Sequence, residues 1–157
     1  MKLYHHVDRV LTELRQMGKE DEGPLSVDEL TPFDQLHYHG TEAVDYAVRA
    51  TGVSASSSVL EIGSGLGGPA RHIAATVGAQ VTALELQSDQ NQLASNLTAR
   101  CGLTEKVTHT CGDFLTYNWV AALRCYCQLA CALPHTRARC AAETLLWPPG
   151  SRWLSPC

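Results

Sequence analysis

Glu61 lies inside an apolar run, Val59-Leu60-Glu61-Ile62, that opens directly onto Gly63-Ser64-Gly65-Leu66-Gly67-Gly68-Pro69. An acid in such a run is costly to bury alone, so it calls for a cation or hydrogen-bond donors close by. The alternating glycines allow a tight reversal in conformations a Cβ penalises, and they let a ligand approach the main chain closely. A nucleotide-like molecule is the natural occupant. Two more carboxylates follow the same pattern. Gln80-Val81-Thr82-Ala83-Leu84-Glu85 is a β-prone run ending in an acid, about 20 residues past the turn, where a doubly wound fold places its ribose-binding residue. Val107-Thr108-His109-Thr110-Cys111 then runs into Gly112-Asp113-Phe114, setting a third acid at the end of a third run.

The elements that must position these acids are legible around them. Pro69 suits the first turn of a helix, and Ala70, Ile73, Ala74 and Val77 recur behind it at helical spacing. Ser88 or Asp89 caps a second helix through Leu93, Leu97 and Arg100, with Gly102 at its end. The alternation is β-α-β-α-β, which predicts an α/β, Rossmann-like parallel sheet whose ligand edge is the carboxyl ends of the strands. Ahead of it, Leu3, Val7, Val10, Leu11 and Leu14 form a helical stripe ended by Gly18 and the charged stretch 19–24. Ser26-Val27-Asp28-Glu29 has capping-box spacing, with Thr31-Pro32 expected to break the helix soon after. Residues 33–40 read as a polar and aromatic loop before a helix that starts at Thr41 and carries Ala43, Val44, Ala47 and Val48 to Gly52.

The three acidic motifs in this order resemble the class I methyltransferases that use S-adenosylmethionine. The match is to their acidic-x-Gly-x-Gly-x-Gly signature (Glu61, Gly63, Gly65, Gly67), to the acid closing the second strand (Glu85), and to Gly112-Asp113-Phe114 after the third. The resemblance implies that Glu61 and the turn residues Gly63, Ser64, Gly65, Leu66 and Gly67 hold the methionine part of S-adenosyl-L-methionine. It likewise assigns the ribose hydroxyls to Glu85, with Leu86 beside it, and the adenine to Asp113 and Phe114. A nicotinamide or flavin domain with the same turn is the competing reading; Glu61 argues against it, because a carboxylate beside a pyrophosphate repels it. Plainer roles stand beside these: a strand-end acid bonded to backbone N–H groups for Glu61, a solvated strand end for Glu85, a turn former for Asp113.

The segment Asp34-Gln35-Leu36-His37-Tyr38-His39-Gly40 resembles the stretch ahead of the first strand in small-molecule N-methyltransferases acting on glycine-derived or choline-precursor amines. That implies a small-molecule acceptor, an amine, and in-line transfer from a sulfonium that needs alignment and exclusion of water but no metal. An amine must arrive neutral, and His37 and Tyr38 are the candidates for accepting its proton, against ordinary packing with a bonded polar tip. His5 and His6 have no third ligand at sensible spacing and are expected at the surface.

At 157 residues, with 45% hydrophobic and 18% charged content, the chain is long enough to bury a core. A net charge of −4 without a basic stripe argues against nucleic acid as partner, and no apolar run is long enough for a membrane span or a secretory signal. A cytoplasmic protein is the expectation. The domain reading is an amino-terminal helical cap over 1–52, the cofactor-binding half of a methyltransferase domain over 53–119, and an atypical, poorly ordered tail over 120–157. In that tail Glu143 is the one acidic residue against Arg124, Arg137, Arg139 and Arg152, and it holds five of the 7 cysteines. Its cysteine spacing lacks the paired two-residue gaps of zinc sites, and a disulfide cluster would need an oxidising compartment. A carboxyl terminus exchanged by splicing, a change of reading frame or an error in the gene sequence is the expectation. The later strands of the family would then be missing, with residues 120–133 forming at most a helix or a makeshift strand. An unpaired edge on the first strand would favour self-association and leave a non-catalytic cofactor-binding or interaction isoform as the alternative to an active enzyme.

Overall fold

The computed structural model describes residues 8–35, 39–116 and 125–127, and the side chains from 9 onward in the first two stretches. Helix α1 (Asp8–Gln16) buries Val10 and Leu14, and α2 (Val27–Asp34) buries Leu30 and Asp34. Helix α3 (Gly40–Thr51) leads through Gly52 into β1 (Ser58–Ile62). Then come α4 (Gly68–Val77), β2 (Gln80–Glu85), α5 (Ser88–Arg100), β3 (Val107–Cys111) and the short β4 (Cys125–Cys127). The sheet order is β3-β2-β1-β4 with every pair parallel.

Register partners in a parallel sheet point to the same side. The row Val59, Val81, Val107 therefore shares a face, and it packs with Ala70, Ile73 and Ala74 of α4 and Val44 of α3 in one apolar cluster. The next row on that face is Glu61, Ala83, His109. A second cluster joins Val10 and Leu14 of α1, Leu30 of α2, Leu97 of α5 and Leu66 of the glycine turn. The turn is thus anchored at one position by an apolar side chain, while its glycines stay free to bend.

The α2 segment departs from the expectation of an early break and a loop from residue 33. Pro32 sits within the helix, and Phe33 and Asp34 are helical. The ring is exposed, and in so short a helix proline forfeits a single main-chain bond, to the Asp28 carbonyl. That loss is offset at the other end by a complete capping box: Ser26 Oγ accepts from the Glu29 N–H at 3.2 Å, and Glu29 Oε2 accepts from the Ser26 N–H at 2.9 Å. Lys19 pairs with the same glutamate. Replacing Ser26 by alanine is expected to cost about 1 kcal/mol in urea denaturation.

A second departure concerns the sheet edge. The far side of β1, expected to be left unpaired, carries β4, a short strand inside the 120–133 stretch read as a helix or makeshift strand: Val59, Leu60 and Glu61 pair with Cys125, Tyr126 and Cys127. The unsatisfied N–H and C=O groups of an apolar strand recruit even a three-residue partner, so self-association through an unpaired β1 edge loses its premise along these residues. The rest of the 120–157 tail, with His5, His6, His37 and Tyr38, lies outside the described residues.

Candidate cofactor-binding site

Three glycines alternate through the turn in the left-handed region, Gly63 at φ 68°, Gly65 at φ 53° and Gly67 at φ 75°. No β-carbon is tolerated cheaply at such angles, which is why the residue type repeats. The N–H groups of Gly63 and Ser64 both donate to the Leu84 carbonyl, at 2.8 and 3.0 Å, tying the turn to the end of β2. Gly67 closes it by donating to the Ser64 carbonyl at 2.8 Å, and α4 starts immediately behind.

Glu85 is buried at the end of β2 and faces the turn. Its Oε2 accepts from the Gly65 N–H at 2.9 Å and its Oε1 from the Gln87 N–H at 2.8 Å. Each carboxylate oxygen has a second lone pair, so this geometry orients the acid without exhausting it. Leu86 beside it is 62% exposed, an apolar surface at the sheet's carboxyl edge. The Glu85 carbonyl accepts from the Gly112 N–H at 2.9 Å, which brings the Gly112-Asp113-Phe114 bend against the end of β2. Asp113 is exposed and its Oδ1 accepts from the Leu115 N–H at 2.9 Å; Phe114 is half-buried. The Ser64 side chain is buried, with its Oγ unpartnered among the described residues. Leu66 turns its side chain into the core, leaving its main chain to the turn.

Glu61 differs from the other two acids. It is only 2% exposed, and its Oε2 has no partner among the described residues. Burial pushes its pKa up to about 8, against the pull of the Arg71 guanidinium and a backbone bond from Ala70; Asp34 and Glu85 push in the same direction as burial. At neutral pH it is therefore mostly a neutral acid, and a cation placed against it would let it ionise. Along the same face, burial holds the pKa of His109 down to about 4, with Arg71 adding to the effect.

The turn rests on a polar cluster that the sequence pattern did not reveal. Arg71 of α4, fully buried, donates to Asp34 Oδ2 of α2, to the Leu66 carbonyl of the turn, and to the Ala94 carbonyl and Thr98 Oγ1 of α5. Thr98 Oγ1 also lies 2.8 Å from His109 Nε2. The signal available was a single arginine breaking the apolar stripe of α4, where a buried cation requires a buried acid. Among the described residues no group of side chains is arranged to hold a metal ion.

The sites singled out in the sequence fall together as follows. Parallel pairing sets the ends of β1, β2 and β3 along one edge, with Glu61 one residue below the end of its strand, Glu85 ending its own and Asp113 just beyond Cys111. The glycine turn bridges the first two. A buried carboxyl with one oxygen unpartnered among the described residues, a serine hydroxyl likewise unpartnered, left-handed glycines and an exposed leucine fit a ligand carrying an ammonium group, polar hydroxyls and an aromatic base.

No family profile matches the chain. The sterol 24-C-methyltransferase of Eremothecium gossypii is 31% identical over 74 residues, which cover 47% of this chain and 20% of that protein. The glycine/sarcosine/dimethylglycine N-methyltransferase of Actinopolyspora halophila is 31% identical over 84 residues, 54% of this chain and 15% of that one. The chain thus spans a fifth or less of the length of either relative. Among solved structures, an S-adenosylmethionine-dependent methyltransferase from Thiobacillus denitrificans, in complex with S-adenosylhomocysteine, superposes with a TM-score of 0.53 at 19% identity, covering 65% of this chain and 40% of that one. Coclaurine N-methyltransferase gives a TM-score of 0.53 at 20% identity, over 56% of this chain and 25% of that one. With this sheet order and this turn, the chain carries part of the fold of the class I S-adenosylmethionine-dependent methyltransferases, and in sequence it is similar to part of known methyltransferases.

Proposed function

We propose that this chain holds S-adenosylmethionine at the carboxyl edge of its sheet, and that the protein methylates a small molecule, an amine. One observation carries the cofactor reading: the buried Glu61 carboxyl at the foot of the glycine turn, with an unpartnered oxygen and a pKa raised to about 8. The methionine part of the cofactor carries an ammonium group, a partner for the oxygen that has none among the described residues. Glu85 and Leu86 take the ribose and one side of the base, with Asp113 and Phe114 at its other margin. Gly63, Ser64, Gly65 and Gly67 supply main chain that the ligand can approach closely. When bound, the cofactor supplies a methyl group on a sulfonium, already electrophilic. The chain's own work is to orient it and exclude water.

The amine rests on the Asp34–Gly40 segment and on the likeness to the Actinopolyspora halophila N-methyltransferase, with His37 and Tyr38 as sequence candidates for accepting its proton. The Eremothecium gossypii relative is a sterol methyltransferase, so a sterol is the competing acceptor. A net charge of −4 disfavours nucleic acid. Transfer of labelled methyl to a panel of small amines and to a sterol distinguishes the two, and transfer to neither favours the second reading, a cofactor-binding protein without turnover.

Calorimetric titration tests the cofactor step. With Glu61 titrating near 8 in the free chain, ionisation on binding releases about 0.9 proton per ligand at pH 7, read from buffers of different ionisation enthalpy. Gly65→Asp, which puts a charged side chain at φ 53° beside Glu85, is expected to weaken binding by about a hundredfold. Binding of NAD in place of S-adenosylmethionine would overturn the reading.

A further inference from the structure

Arg71 is the bulkiest fully buried side chain among the described residues, and no cofactor role above uses it. Its Nη2 donates to Leu66 O at 2.6 Å and Asp34 Oδ2 at 2.8 Å; its Nη1 donates to Thr98 Oγ1 at 3.0 Å and Ala94 O at 3.2 Å. A single guanidinium therefore joins the end of α2, the glycine turn, α4 and α5, and reaches β3 through Thr98 and His109.

A buried ion pair is weak evidence for stability, because desolvation offsets its attraction and apolar side chains of similar volume pack as well. This pair is not even saturated: Arg71 Nε and Asp34 Oδ1 have no partner among the described residues. What an apolar replacement could not do is grip the Leu66 carbonyl. The neighbouring glycines fit that purpose. A β-carbon at Gly67 would lie 3.2 Å from Arg71 Nη1 and 2.6 Å from His109 Cε1, and one at Gly68 would lie 2.5 Å from the Asp34 carbonyl oxygen. Both positions are stripped of side chain where the cluster presses on the turn.

We propose that Arg71 is the positioning residue of the cofactor turn, fixing the Leu66 carbonyl and thereby the turn's amides, and that Asp34 ties the end of α2 to the same point. The inference rests on the glycine turn being the cofactor site. It also gives α2 a mechanical link to cofactor binding. Charge is the second component. Glu61 faces Arg71 from α4, Asp34 from α2 and Glu85 from β2, and its register partner on β4 is Cys127; of these, Arg71 is the cation that favours the ionised acid.

The test uses the full chain with Arg71→Lys, Arg71→Met and Asp34→Asn. Hydrogen exchange of the ligand-free protein is expected to speed up about tenfold at the amides of residues 63–67 in Arg71→Lys, and over α2 in Asp34→Asn, with β2 unchanged. S-adenosylmethionine should bind about tenfold more weakly to each. Arg71→Lys keeps the midpoint of proton release, whereas Arg71→Met moves it to higher pH, a change that looser packing alone does not produce. Turn amides exchanging at the wild-type rate in Arg71→Lys would overturn the inference, as would wild-type exchange over α2 in Asp34→Asn, which carries the test alone if the Arg71 variants do not fold. A wild-type chain that takes up no S-adenosylmethionine sinks the cofactor reading instead, and the exchange rates still decide whether Arg71 holds the turn.

Discussion

Glu61→Gln should make the ligand-free chain more stable at pH 8 while removing most of its affinity for S-adenosylmethionine. The folded-state pKa of Glu61 is raised, to about 8 from 4.5. Its contribution is therefore fully present below pH 4.5 and is lost as pH rises through 8, because the native state holds a proton the unfolded chain has released. His109 runs the other way. Its pKa is depressed to about 4 from 6.5, so its contribution is present above pH 6.5 and lost as pH falls through 4. Between 4.5 and 6.5 the two slopes oppose each other, and from 6.5 to 8 Glu61 acts alone. Wild-type stability should thus be nearly level below 6.5 and fall above it. Glutamine mimics the neutral acid, so the variant should be level from 6.5 to 8 while wild type loses about 2 kcal/mol over that range, which leaves the variant about 4 kcal/mol more stable at pH 8, and it should show the His109 slope unmasked at acid pH. Binding should fall about a hundredfold, because the amide offers the ammonium no charge. Urea denaturation across pH and calorimetric titration measure the two effects.

Gly68→Ala is the second large effect, and its sign is opposite to the usual one. In a helix, alanine in place of glycine normally stabilises, by up to about 1 kcal/mol. Here the added β-carbon would meet the Asp34 carbonyl oxygen at 2.5 Å, its Oδ1 at 2.8 Å and its carbonyl carbon at 2.9 Å. Two of these are main-chain atoms, which cannot swing aside as a flexible side chain could. Either α2 lifts from α4, separating Asp34 from Arg71, or the turn is displaced. A net destabilisation of about 2 kcal/mol is expected from urea denaturation, with weakened cofactor binding in the same variant. Gly78→Ala at the other end of α4 is the control: its β-carbon meets the Ala55 side chain at a comfortable 3.6 Å, so the loss there comes from its φ of 80° alone.

The parts of the fold that the sequence made legible are those where one strong local rule acts. Alternation and the acid at the end of each run marked β1, β2 and β3, and glycines marked the turn and the ends of α3 and α5. What stayed hidden depends on partners far apart in the chain. Arg71 and Asp34 are 37 positions apart, and in the sequence each is an ordinary charged residue. Once paired, they hold the end of α2 in place, which is why Phe33 and Asp34 are helical where proline suggested a loop. The three residues of β4 are too few to show periodicity; their pairing follows from the open hydrogen-bonding edge of β1, not from any pattern of their own. Of the site, the three acids and their shared edge were legible, but the difference between them was not. Both Glu61 and Glu85 are buried; what distinguishes them is that Glu61 Oε2 has no partner among the described residues, whereas both Glu85 oxygens take main-chain N–H groups.

The carboxyl carbon of Glu61, followed by NMR from pH 5 to 9 with and without S-adenosylmethionine, addresses the central claim most directly. The predicted midpoint is near 8 in the free chain and in the ordinary carboxylate range, about 4 to 5, once the cofactor is bound. A midpoint near 8 in both states, at saturating cofactor, would mean that no cation reaches this acid and would contradict the account.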